Sequence, residues 1–253
     1  MNDALDLYMS SSKQDKINHC LIGTEHWLTQ RWDEAIRYLL EHFARPNYQR
    51  VAGNRPLYYW FDAQNVPAHF GSMEKAQAAL KQLRDASIAA GLGDPYLVGL
   101  TFWPDKCEEA IRQTGFDATG AYCSAGDVKK TERPYSLLRS QNQWYWSEWL
   151  KHDLPMIPPI NTGWDTRPRA STLQNPEGDW YTQATPQEIA DNLKDAMDFV
   201  RKHPKNCPAD SVLIYAWNEF DEGGWLCPTL EAGTARLDAI QNMLENYQNP
   251  AAE

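Results

Sequence analysis

The sequence predicts an α/β protein, a TIM-type (β/α)8 barrel of which about six βα units are visible. Three observations predict it. Short, nearly unbroken apolar runs alternate with amphipathic segments along the chain, the pattern of parallel strands covered by helices. No GxGxxG or P-loop glycine pattern is present, which disfavours a doubly wound nucleotide-binding sheet. Each apolar run also ends in chemically active residues, as expected where barrel strands deliver their C-terminal ends to one mouth.

Taken in order, "INHCLIGTEHW" (17–27) reads as a strand ending in polar and aromatic residues, and "WDEAIRYLLEHFA" (32–44) as a helix. In that helix Ile36, Leu39, Leu40 and Phe43 recur at helical spacing. "RPLYYWFDAQ" (55–64) is a second strand, followed by a helix over 72–92 that opens at Ser72. "YLVGLTFW" (96–103) and a helix over 105–114 come next, then "FDATGAYCS" (116–124) and an aromatic-rich helix over 134–153. "PMIPPINTGWD" (155–165) is the fifth strand. The helix after it carries the clearest start signal: Thr185 as cap, Pro186 in the first turn and Glu188 completing a capping box. "SVLIYAWNEF" (211–220) is the sixth strand, and a last helix carries Leu237, Ile240 and Leu244. No internal boundary is visible, so residues 1–253 read as a single barrel domain, with 166–184 as a long loop of the kind that builds sites.

Composition narrows the function classes. A net charge of −10 with no Lys/Arg cluster argues against nucleic acid, which needs a basic footprint. Eleven Trp and twelve Tyr, many beside polar or acidic residues, suit sugars, whose C–H faces stack while their hydroxyls need partners. The five cysteines are widely spaced and show neither a zinc pattern nor a disulfide framework. No stretch is long and apolar enough to span a membrane. The opening "MNDALDLYMSSSK" is not a signal peptide, so secretion or a periplasmic location would require a leader upstream of it.

The candidate chemistry centres on "YAWNEFDEGGW" (215–225), where three acids crowd among Trp217, Phe220 and Trp225 at the end of an apolar run. Glu219 and Glu222 are the expected catalytic pair, because glycosidic cleavage needs one group to protonate the departing oxygen and another as base or nucleophile. Neighbouring carboxyls in an aromatic, partly dry site are expected to separate in pKa. The competing reading is a solvated acidic loop. Strand-end logic adds Glu25, Trp27, Asp62, Trp103, Tyr122, Trp164, Asp165, Asn218 and Trp225 as substrate-binding residues, Trp164 and Trp27 as aromatic walls. In "GWDTRPR" (163–169), Asp165 is expected to pair with Arg167 and Arg169 or to help grip an anion, with Arg169 in a structural role. A metal held by Asp62, Asp221 and Glu222 has no supporting ligand spacing, and no cofactor motif or GxSxG nucleophile is present.

Three ordered motifs carry a family resemblance. "TEHWLTQRWDE" resembles "ANENWTRRWDG", "GWDTRPRA" resembles "GWDNTARR", and "YAWNEFDEGGWLCPT" resembles "NEWHEGTQIEP". Together, over about residues 17–245, they resemble the glycoside hydrolase family 99-like (WbsX-like) group, barrels related to endo-α-mannosidases. The resemblance implies cleavage of an α-linked oligo- or polysaccharide with retention, the substrate's own 2-hydroxyl attacking the anomeric carbon. It casts Glu219 as the base on that hydroxyl and Glu222 as the acid on the leaving group. It also implies two further strands upstream, so that the visible six are an N-terminally incomplete barrel. Phe220 stands where Trp is usual and Cys227 where an acid is expected, so the resemblance leaves the sugar open. Two alternatives stand beside a hydrolase: a non-catalytic carbohydrate-binding protein, and a polysaccharide-assembly enzyme.

Overall fold

The computed structural model describes residues 3–24, 29–101, 107–124, 132–169 and 180–248. All six expected βα strands are present, shorter than the apolar runs that announce them. They are β1 (Leu21–Gly23), β3 (Arg55–Trp60), β4 (Tyr96–Leu100), β5 (Ala118–Gly120), β6 (Pro159–Asn161) and β7 (Leu213–Tyr215). β2 (Arg50–Val51) is an added antiparallel arm on β3. The chain groups into two compact units, 1–119 and 120–253.

In the first unit the sheet runs β1-β3-β4-β5. β1 lies parallel to β3 with Leu21 opposite Tyr58, and β3 parallel to β4 with Leu57 opposite Tyr96. Every residue of β4 is buried, as are five of the six in β3. That burial on both faces is what turns parallel strands into continuous apolar runs. The covering helices are α1 (Asp3–Ser10), α2 (Trp32–Phe43), α3 (Val66–Phe70), α4 (Met73–Ala89) and α5 (Cys107–Thr114). Ser72 caps α4 by accepting from the Lys75 amide, and Ala76, Ala79, Leu80 and Leu83 form its buried face. Where β3, β4 and β5 begin, Arg55 and Arg84 share Asp94 and Asp117 at 2.7–2.9 Å. Asp117 also accepts from the Leu97 amide, tying two strand starts together.

In the second unit β6 lies parallel to β7, Ile160 opposite Ile214. The helices are α6 (Tyr135–Lys151), α7 (Pro186–Lys202) and α8 (Ala235–Gln248). The capping box of α7 is complete: the Glu188 amide donates to Thr185 Oγ1, and the Thr185 amide to the Glu188 carboxylate. Ile189, Leu193, Ala196 and Val200 are its buried stripe. Tyr135, Leu138, Tyr181 and Ile189 form a core cluster onto which Trp164, Ile214, Leu237 and Ile240 pack.

One expected element is corrected. The run 211–220 is not a single strand: β7 stops at Tyr215, the Tyr215–Ala216 peptide is cis, and a separate hairpin follows. Its arms are β8 (Asn218–Glu219) and β9 (Gly224–Trp225), joined by a 3-10 turn over Phe220–Glu222 that closes at Gly223 with φ +72°.

Candidate active site

The site in the second unit is built on that hairpin and on the segment leaving β6. Two backbone bonds fasten the segment: the Thr162 amide donates to Tyr215 O at 2.6 Å, and the Asp165 amide to Glu222 O at 2.7 Å. The approach is close enough that side chains are excluded. A Cβ at Gly163 would strike the Gly223 carbonyl oxygen, and one at Gly224 would lie 2.5 Å from Tyr215 Cε1. Beneath, Asn161 is fully buried, its Oδ1 accepting from Ser124 Oγ and its carbonyl from Tyr135 Oη.

Glu219 and Glu222 come together with one tyrosine each. Tyr122 Oη donates to Glu219 Oε1 at 2.8 Å, and Tyr215 Oη donates to Glu222 Oε2. The two phenol rings meet edge to face, 5.2 Å between centroids. Burial first, then the hydrogen bond to its glutamate, pushes each phenol above its ordinary pKa, so each O–H remains a donor.

From the opposite side Arg169 reaches all three acids of the turn. Its Nε and Nη2 lie 2.6 and 3.2 Å from the two Asp221 oxygens, Nη1 contacts Glu222 Oε1, and Nη2 is 3.5 Å from Glu219 Oε2. The hydrogen bond to Asp221 raises the Arg169 pKa and holds the Asp221 carboxyl below its usual range. Asp165 pairs with Arg167 instead, at 2.7 and 2.9 Å, and that guanidinium stacks on Trp180 at 4.5 Å. Burial acts to raise the Asp165 pKa, but the hydrogen bonds from Arg167 outweigh it and leave it lowered.

Of the expected site residues, the structure brings together Tyr122, Trp164, Asp165, Asn218, Glu219, Glu222 and Trp225. The expectation that both arginines serve Asp165 is corrected, since only Arg167 does. Trp164 packs on the core cluster and against Tyr215, 5.9 Å between rings. Trp225 lies under the buried guanidinium of Arg236 at 3.3 Å, which also donates to the Trp225 carbonyl at 2.6 Å. The exposed rings are Trp217 and Phe220, 55% and 51% accessible. Asn218 opens the hairpin, exposed and opposite Trp225. Glu25, Trp27 and Trp103 lie outside the described residues. Asp62 belongs to the first unit, where it holds a left-handed conformation and accepts from Asn65 at 2.6 Å. Among the described residues no group of three His, Cys, Asp or Glu side chains could hold a metal ion, and no helix is long and apolar enough to cross a membrane.

Two residues of the site were missed in the sequence. Tyr215 reads there as a core strand residue, and Arg169 as a loop support. The only sequence signal for either was proximity: Tyr215 stands in the acid motif, and Arg169 ends "GWDTRPR".

The fold is of the (β/α) barrel type. The chain resembles a solved endo-α-mannosidase of glycoside hydrolase family 99 from Bacteroides thetaiotaomicron, with TM-score 0.59 and 17% identity over 98% of this chain and 71% of that one. A structure of the endo-α-mannosidase from that genus in complex with bis-tris-propane gives 0.58 and 15%, over 98% and 75%. A structure described as a glycoside hydrolase-like protein gives 0.53 and 13%, over 85% and 61%. A profile of the glycosyltransferase WbsX family matches residues 10–240, and the chain belongs to that family. Two relatives described as uncharacterized protein WxcX, from Xanthomonas campestris pv. campestris strains B100 and ATCC 33913, are each 28% identical over 233 residues. The match covers 86% of this chain, and the chain spans 31% of the length of those relatives.

Proposed function

We propose that the chain is a glycosidase cleaving an α-linked oligo- or polysaccharide with retention, Glu219 and Glu222 as its reacting carboxyls. The observation that carries this reading is that the two glutamates share one turn, each on its own tyrosine hydroxyl, beside exposed aromatic rings. Glu219 takes the proton of the sugar's 2-hydroxyl as that oxygen attacks the anomeric carbon. Glu222 gives a proton to the departing glycosidic oxygen as the C–O bond breaks. Water then opens the anhydrosugar with the two roles exchanged, which restores both groups. Trp217 and Phe220 offer apolar faces to the sugar rings. That structural neighbours are endo-α-mannosidases supports an α-linked glycan chain as the substrate class.

A second reading rests on the family's name, glycosyltransferase WbsX. It makes the same residues part of polysaccharide assembly, with transfer to a sugar hydroxyl in place of water.

The test is product release from a panel of α-linked oligosaccharides, wild type against Glu222→Gln and Glu219→Gln. Release that falls at least about 100-fold in both variants, with glycan binding retained, supports the hydrolase. Turnover that requires a nucleotide-sugar donor supports assembly. Binding without turnover on any substrate defeats both and leaves a carbohydrate-binding protein.

A further inference from the structure

Three carboxylates within four residues repel one another, and a hairpin with two-residue arms has little backbone pairing to oppose that. Arg169 meets all three. Its Nε and Nη2 grip Asp221 at two points, which fixes both the position and the plane of the guanidinium. With that plane fixed, Nη1 falls on Glu222 Oε1 and Nη2 faces Glu219 Oε2 at 3.5 Å. The remaining oxygen of each glutamate is taken by a tyrosine. Glu222 is thus held between a phenol and a guanidinium N–H, and Glu219 between a phenol and the same guanidinium's charge 3.5 Å away.

Resting on the hydrolase reading above, we propose that Arg169 is the positioning residue that sets the placement of Glu219 against Glu222, and that Asp221 is its anchor, not a third reacting acid. The chemistry explains the residue types. A planar fork can satisfy one carboxylate at two points, direct an N–H at a second and still face a third with its charge; an ammonium is a point charge without that geometry. It also explains Asp221, which at 53% side-chain exposure is the outermost of the three and the one that takes the two-point contact.

The test uses the full chain and the α-linked oligosaccharide that the wild type cleaves. Arg169→Gln is expected to lower kcat about 100-fold while KM moves far less, the signature of misplaced reacting groups. Arg169→Lys should recover little, and free guanidinium ion, well below unfolding concentrations, should return part of the kcat of Arg169→Ala. Asp221→Asn should lower kcat in the same sense by less. A kcat in Arg169→Gln equal to wild type, or a loss confined to KM, overturns the proposal. An arm that needs no turnover is amide hydrogen exchange over 218–226, expected to quicken in Arg169→Gln while 186–202 stays unchanged. Unchanged exchange over 218–226 overturns the clamp whatever the substrate. Quickened exchange in a chain that cleaves no glycan supports the clamp and defeats the hydrolase reading instead.

Discussion

Tyr122 Oη lies 2.8 Å from Glu219 Oε1, on a ring that meets Tyr215 edge to face at 5.2 Å. The pair divides the labour: one phenol per glutamate. Tyr→Phe deletes one hydrogen bond to a glutamate and leaves the ring contact in place. On the hydrolase reading, Tyr122→Phe is expected to lower kcat about tenfold, since a hydrogen bond to a charged group is worth about 1.5–3 kcal/mol. Tyr122 is half-buried, so its melting temperature should stay near wild type. Tyr215→Phe should lower kcat at least as far, with a measurable loss of stability because Tyr215 is buried against Gly224. Steady-state kinetics beside thermal melts check both; full activity in either variant shows that its glutamate does not depend on the phenol.

Gly163→Ala tests the close approach between the segment after β6 and the acid turn. The new methyl would meet the Gly223 carbonyl, backbone against backbone, and neither side can swing away. Overpacking of this kind costs about 1–3 kcal/mol. A lowered urea midpoint together with lost activity is expected. Unchanged activity would mean that the turn tolerates displacement from Asp165.

The capping box gives a prediction that separates folding from function. Thr185→Ala removes the side-chain acceptor of the Glu188 amide, at a cost of about 1 kcal/mol. The midpoint of urea unfolding should fall while kcat stays unchanged, because the cap's side-chain bonds run between Thr185 and Glu188 and not to Glu219 or Glu222.

A pH effect follows from the first unit. His42 is buried against His19 Nε2 at 3.1 Å and the Tyr38 ring at 4.7 Å. Burial, then the neighbouring charges of His19 and Arg45, depresses its pKa to about 4. The unfolded imidazole takes its proton near the ordinary value of about 6.5. Between those values the unfolded state binds more protons, so stability falls as pH drops through the interval and is fully present above it. Urea midpoints from pH 7.5 to 4.5 should decline in the wild type and decline less steeply in His42→Gln. Parallel curves would place the acid sensitivity elsewhere.

The positions of the six strands along the chain, the helix capped at Thr185 and the acid motif were legible because their signals are local: apolar periodicity, a capping box and three acids beside aromatic residues. The break after Tyr215 was not. The apolar run continues to Trp217 in the sequence, and only the pairing of Asn218 with Trp225 and of Glu219 with Gly224 turns its end into a hairpin arm. Trp164 and Trp225 carry the same lesson. As residue types they suit a sugar platform, but the rings are engaged by Tyr215 and by Arg236, while Trp217 and Phe220 stand exposed.

By itself, the sequence determined the α/β class, the succession of six strands along the chain and the turn that carries the acids, because each is written within a few residues of chain. Tertiary structure alone decided which arginine faces those acids. "GWDTRPR" holds two of the same type, two residues apart. Arg167 folds back on Asp165 in its own loop, whereas Arg169 crosses to Asp221 and Glu222, 52 and 53 residues along the chain. The physical reason is the direction each side chain takes from the 3-10 turn Arg167–Arg169 as β6 and β7 pair, and no periodicity or spacing in the sequence encodes a contact of that range.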